Sequence, residues 1–261
     1  MPGRMNWTRQ QLLLAFKLYC QIPFGKFHST NPEIIKYGKL LGRTPSALAM
    51  KLSNIASLDP AITSTGRKGL TGASNTDKAM WDEMQSDWVL FLAEIQKTES
   101  NFGVTEDFDT EIDGFSQNET VDYTGNNKAV QSTVRVGQSF FRRSVLSAYN
   151  SKCCISGLAI PSLLVASHIV PWRVDEKNRL NPRNGLCLSV LHDKAFDLGV
   201  ITITDNMTVS VSRPKISNED PFFDSAILAY DGKPIFLPEK FHPTMEFLSY
   251  HRQHIFESNA L

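Results

Sequence analysis

Apolar residues at Leu12, Leu13, Phe16 and Tyr19 recur at three- and four-residue steps, and this spacing predicts a helix in "TRQQLLLAFKLYC". A second helix is predicted in "NPEIIKYGKLLG", where Asn31 stands as cap, Pro32 at the first helical position and Gly42 as terminator. Thr44 and Pro45 open a third in "RTPSALAMKLSNIASL". The long stretch "DKAMWDEMQSDWVLFLAEIQK" is amphipathic and turns Trp81, Trp88, Leu92 and Ile95 inward. Further along, the pattern changes. After a helix in "GQSFFRRSVLSAYN", the β-branched run "SLLVASHIV" predicts a strand that delivers His168 at its end. A polar loop leads to Asn184 and Gly185, "LCLS" predicts a second strand, and "VLHDKAFD" starts a helix. "VITITDNMTVSVS" predicts a hairpin turned at "DN", and "HPTMEFLSYHRQHIFES" a final helix. The fold class expected is α+β, with a helical amino-terminal part and a carboxy-terminal strand, loop, strand, helix unit.

A chain of 261 residues has room for two modest domains. Net charge is zero, which argues against a nucleic-acid partner until its distribution is considered. Residues 1–97 carry 12 Lys+Arg against 7 Asp+Glu, residues 98–128 carry 1 against 8, and residues 129–261 carry 14 against 12. The neutral total therefore hides a basic block and an acidic stretch. The division expected is a helical DNA-binding domain over 1–97, an acidic linker over 98–128 and a second domain over 129–261. No apolar run is long enough to span a membrane and the first residues are too polar for a secretory signal, so the expected location is the cytoplasm. Cys20, Cys153, Cys154 and Cys187 lack the paired spacing of a zinc ribbon, so reduced thiols rather than a structural zinc are expected.

The polar points of the strand, loop, strand, helix unit carry the candidate chemistry. Phosphodiester hydrolysis needs a base to deprotonate water and a divalent cation to stabilise charge on the phosphate. His168 has an imidazole suited to the base role, and Asn184 is placed to orient that ring or to lend its oxygen to a metal. His192, Asp193 and Asp197 offer nitrogen and oxygen ligands for Mg²⁺, Mn²⁺ or Ni²⁺. The expected metal pair is His192 with Asp197, and Asp193 is the alternative because it lies four residues from Asp197 on one helix face. Arg173, Arg179, Arg183 and Lys194 are candidates for phosphate contacts. His242, His251 and His254 are expected to pack or cap.

The order His168, Asn184, His192 resembles the His-Asn-His signature of HNH endonucleases, the His-Me finger nucleases with a ββα-metal core. The segments "RVGQSFFRRSVLSAYNSKCCISGL", "ASHIVPW", "NPRNGLCLSVLHDKAFDLGVITI" and "FLSYHRQHIF" are similar to the predicted restriction endonucleases of that family. The resemblance implies metal-dependent cleavage of double-stranded DNA in restriction or defence, with His168 as general base, Asn184 as the central Asn of the loop and His192 as a metal ligand. Many family members place an acidic residue or a histidine directly before the base, whereas this chain has Ser167. The three amino-terminal helices resemble a helix-turn-helix or Myb-like module, which would place Lys51 against DNA. Cutting both strands calls for two active sites and so for a homodimer. The alternatives are a non-catalytic DNA-binding regulator that keeps the nuclease fold, an RNA nuclease, or a nickase.

Overall fold

The structure is a computed structural model that describes residues 6–66, 70, 72–103, 128–212 and 220–256; for 128–135 it describes the backbone alone. Residues 104–127, most of the expected acidic linker, lie outside the described residues. The first helix, α1 (Arg9–Gln21), starts at a capping box in which Thr8 Oγ1 accepts from the Gln11 backbone and Gln11 Oε1 accepts from that of Thr8. Every residue from Leu12 to Cys20 is buried, so α1 is enclosed on all sides rather than on one face. Its neighbours are α3 (Pro45–Ala56), α6 (Trp88–Asn101) and α7 (Lys128–Ala148).

Helix α2 (Pro32–Leu40) and α3 begin at the expected caps Asn31 and Thr44, each followed by proline. Gly42 adopts φ +62°, the left-handed conformation of a helix terminator. After the short α4 (Pro60–Thr63), the amphipathic stretch "DKAMWDEMQSDWVLFLAEIQK" forms two helices, α5 (Asn75–Ser86) and α6. The break falls at Asp87, whose carboxylate accepts from the backbones of Val89 and Leu90 and so caps a new helix instead of continuing the old one. Helix α6 extends to Asn101 and buries Glu99 against Lys17 at 2.6 Å, so the first residues of the expected linker are helical.

Lys51 departs from its expected role. Its ammonium is buried and lies 2.8 and 2.9 Å from the two carboxylate oxygens of Asp77. A buried cation already paired in this way is not offered to a phosphate; Asp77 meets it because the α5 capping box at Ser74 turns that carboxylate inward.

From α7 the chain passes to a two-stranded antiparallel sheet of β1 (Leu164–His168) and β2 (Gly185–Ser189). Helix α8 (Val190–Asp197) follows directly, capped by Ser189. The predicted hairpin is β3 (Ile201–Ile203) with β4 (Val209–Val211), and the chain continues through α9 (Pro221–Ala226) to α10 (Met245–His251). The described residues thus combine helices with small antiparallel sheets, an α+β arrangement. One shared core joins its two halves. Lys240, fully buried, donates to the carbonyls of Tyr19, Cys20 and Ile22 at the end of α1 and to Ser147 Oγ on α7, and so caps the first helix from the far end of the chain.

Candidate active site

Register decides what surrounds His168. It pairs across the sheet with Gly185, where a Cβ would lie 2.4 Å from Val145 Cγ2 and 2.9 Å from Phe141 Cζ. The glycine after Asn184 therefore serves close approach of α7 to the sheet. That approach lets Phe141 stack flat on the His168 ring, with centroids 3.9 Å apart and planes 7° apart. Trp172 meets the same ring edge-on at 5.6 Å. His168 Nε2 lies 2.9 Å from the carbonyl oxygen of Arg179, which can only accept, so Nε2 carries the proton. Burial pushes the imidazole down to about 4, against the opposing pull of that carbonyl. The ring is thus neutral near pH 7, and its Nδ1 lone pair meets no partner among the described residues.

The loop from Pro171 to Asn184 is held by side chains at every third position. Asp175 accepts from both the backbone and the side-chain nitrogen of Asn178, and Asn178 Oδ1 accepts from Asn181 Nδ2. Asn184, fully buried, accepts from Val170 N at 2.8 Å and donates to Val170 O at 3.1 Å. Both ends of its amide are used, so Asn184 ties the loop to the exit of β1 and neither orients the imidazole directly nor presents its oxygen to a metal. The carbonyl that orients His168 belongs to Arg179, a role that side-chain types along the sequence do not reveal.

His192 also differs from expectation. Its Nδ1 lies 2.8 Å from Ser189 Oγ and 3.6 Å from Cys153 Sγ, and its Nε2 lies 3.0 Å from the carbonyl of Ala226. With both ring nitrogens bound inside the protein, His192 fastens α8 to α9 and to Cys153 and presents neither nitrogen to a metal in this structure.

Asp193 and Asp197 are one turn apart on α8. Asp193 is raised, chiefly by burial, with Ser167 and Lys194 opposing. Asp197 is pushed up to about 6 by burial and then by the Asp193 charge. Ser167 faces this pair from β1; its hydroxyl is near enough to pull Asp193 down, yet it is buried and meets no partner at full hydrogen-bond geometry. Two repelling carboxylates beside an unsatisfied hydroxyl form an all-oxygen donor set, which fits a hard divalent cation better than zinc. No group of three His, Cys, Asp or Glu side chains is gathered for a metal among the described residues, so such an ion would draw its remaining ligands from water or substrate.

The expected phosphate contacts divide. Arg173 and Lys194 are exposed. Arg183 is half-buried, with an enclosed Nε that has no hydrogen bond, and it lies within electrostatic reach of Tyr19 on α1. His251 and His242 bond within the protein, and His254 stacks on Tyr250.

Residues 153–204 match the family model of the HNH endonucleases, and the match spans the sheet, its loop and α8. The chain thus carries an HNH endonuclease domain. No curated protein sequence matches it. Among solved structures it is similar to a "Modification dependent TagI restriction endonuclease", at 18% identity and a TM-score of 0.34 over 44% of this chain. That match spans 37% of the other chain's length. No helix among the described residues is long and apolar enough to cross a membrane.

Proposed function

We propose that the protein is a divalent-cation-dependent endonuclease that hydrolyses phosphodiester bonds of double-stranded DNA. The observation that carries this reading is a neutral imidazole with one open nitrogen, next on β1 to Ser167, whose hydroxyl acts on Asp193 of the Asp193–Asp197 pair of α8. His168 accepts the proton of the attacking water at Nδ1, while the Arg179 carbonyl keeps Nε2 protonated and fixes the tautomer. Phe141 holds the ring plane, and Asn184 holds the loop that brings the carbonyl to it. Asp193 and Asp197 bind the cation, with Ser167 beside them. When bound, Mg²⁺ or Mn²⁺ supplies positive charge to the phosphate and the leaving oxygen. Arg173 and Lys194 contribute phosphate contacts from the surface.

The similarity of the flanking segments to predicted restriction endonucleases supports restriction of foreign DNA as the setting, with two copies cutting the two strands as a homodimer. The amino-terminal helices serve this site as a scaffold as well as a candidate DNA module, because α1 packs on the α7 helix that carries Phe141.

Cleavage of supercoiled plasmid tests the reading, with wild type and His168→Ala compared in Mg²⁺, Mn²⁺ and EDTA on modified and unmodified DNA. We expect metal-dependent cutting by the wild type that falls at least about a thousandfold in the variant. Equal cutting by both would remove His168 as the base. DNA binding without cutting would favour the non-catalytic regulator, and single-strand nicks alone would favour a nickase.

A further inference from the structure

We infer that Arg179 is the side chain that grips a DNA phosphate beside the reacting one, with its guanidinium preset for this on the face of Trp172. The inference rests on the nuclease reading and adds a substrate-positioning residue to it. The guanidinium carbon lies 5.2 Å from the centroid of the Trp172 ring, and that ring in turn meets His168 at 5.6 Å. Arg179 is therefore tied to the imidazole twice, through its backbone carbonyl and through the indole its side chain covers.

The charge of Arg179 has no carboxylate partner among the described residues. Of the two acids in its loop, Asp175 spends both oxygens on Asn178, and Glu176 is exposed. The three buried lysines are treated differently: Lys17 pairs with Glu99, Lys51 with Asp77, and Lys240 is surrounded by carbonyls. A guanidinium lying over a ring keeps its in-plane N–H donors for another acceptor, and their planar fork matches two oxygens of a phosphate. Stacking also restricts the side chain before substrate arrives, so less freedom is lost on binding than for an arginine in open solvent such as Arg173.

The same loop thus carries three parts of one device. The ladder of Asp175, Asn178, Asn181 and Asn184 sets the backbone, the Arg179 carbonyl sets the tautomer of His168, and the Arg179 side chain sets where the sugar-phosphate chain lies relative to that ring.

The test uses the full chain with Arg179→Met and Arg179→Lys. Affinity for a short DNA duplex is measured in EDTA across a range of salt, and steady-state cleavage with Mn²⁺ across a range of pH. Loss of one phosphate contact should reduce the slope of log affinity against log salt by about 0.9 in Arg179→Met. The value of kcat/KM should fall roughly ten- to hundredfold, the worth of a charge-assisted hydrogen bond. Arg179→Lys should recover part of both. The acid limb of kcat should stay in place, because either substitution leaves the carbonyl on His168. An unchanged slope with unchanged kcat/KM would overturn the assignment, as would a displaced acid limb with an unchanged slope. A wild type that binds DNA with an Arg179-dependent slope but never cuts would keep the phosphate site and remove the nuclease reading; a wild type that binds no DNA would remove both.

Discussion

His168 at the end of β1 and His251 at the end of α10 are near twins in their surroundings. Each stacks flat on a phenylalanine: His168 on Phe141 at 3.9 Å, His251 on Phe196 at 3.6 Å. Each donates Nε2–H to a backbone carbonyl, that of Arg179 at 2.9 Å or of Phe196 at 3.0 Å. Burial is the main cause that pushes both down to about 4. They differ at one atom. His251 Nδ1 lies 2.8 Å from the Thr202 hydroxyl, while His168 Nδ1 has no partner among the described residues. Neither stacking, burial nor a shifted pKa separates a structural histidine from a candidate base here; the open lone pair does. The same criterion assigns His192, closed at both nitrogens, to structure.

The sharpest way to break this comparison is to make one substitution at both positions. His168→Gln should lower turnover about a thousandfold, the usual worth of a general base, while unfolding by denaturant changes little. His251→Gln should leave turnover of the folded protein within about twofold and lower stability by about 1–2 kcal/mol through lost stacking and a poorer fit to Thr202 and Phe196. Equal losses of turnover at both positions would show that the open nitrogen carries no special weight.

A smaller effect is expected from the carboxylates of α8 on the side of Ser167, the neighbour of His168 on β1. Asp197→Asn keeps the shape of the side chain and removes the charge that repels Asp193. Mn²⁺ binding followed by calorimetry should weaken about a hundredfold, and cleavage should fall with it. In EDTA the same variant should melt at a higher temperature than wild type, because the raised pKa of Asp197 means that its negative charge is less favourable in the folded protein than in water. A lower melting temperature in EDTA would mean that Asp197 is a structural carboxylate, like Asp77 beside Lys51.

Much of the frame was legible in the sequence because it is set locally. Caps at Asn31 and Thr44, the strand ending in His168 and the helix starting at "VLHDKAFD" each depend on neighbours within a few residues. What the sequence leaves open depends on contacts made over longer distances. The helix-turn-helix resemblance places Lys51 against DNA, but Asp77 reaches it from another helix. His192 and Asp193 are adjacent on α8 and point about 100° apart, so only the packing of α8 on β1 and α9 decides which faces the sheet. Gly185 stands in the sequence only as the residue after Asn184 where the polar loop ends, yet its role depends on Val145 and Phe141, about forty residues earlier in the chain. Lys240 gave no signal, since its carbonyl partners are backbone atoms at the end of α1.

The smallest effect sharpens the twin relation through stability. His251 has a folded-state pKa of about 4, below the 6.5 of a free imidazole, so between those values the unfolded chain binds the extra proton. Stability therefore rises with pH across this window: the contribution is whole above pH 6.5 and is lost as pH falls toward 4. The slope for one such group is at most about 1.4 kcal/mol per pH unit. His168 adds a slope of the same sign, whereas Asp197, raised rather than lowered, adds one of opposite sign between about 3.8 and 6. The wild-type curve alone mixes these contributions, so the informative quantity is the difference between wild type and His251→Gln, measured by urea unfolding in EDTA from pH 7 to pH 4. The destabilisation caused by the substitution should shrink as pH falls, because the wild type loses the contribution of a neutral His251 and the variant has none to lose. A difference that stays constant over the window would mean that His251 takes up its proton without leaving Thr202 and Phe196, and the two histidines would then differ in more than the occupancy of one nitrogen.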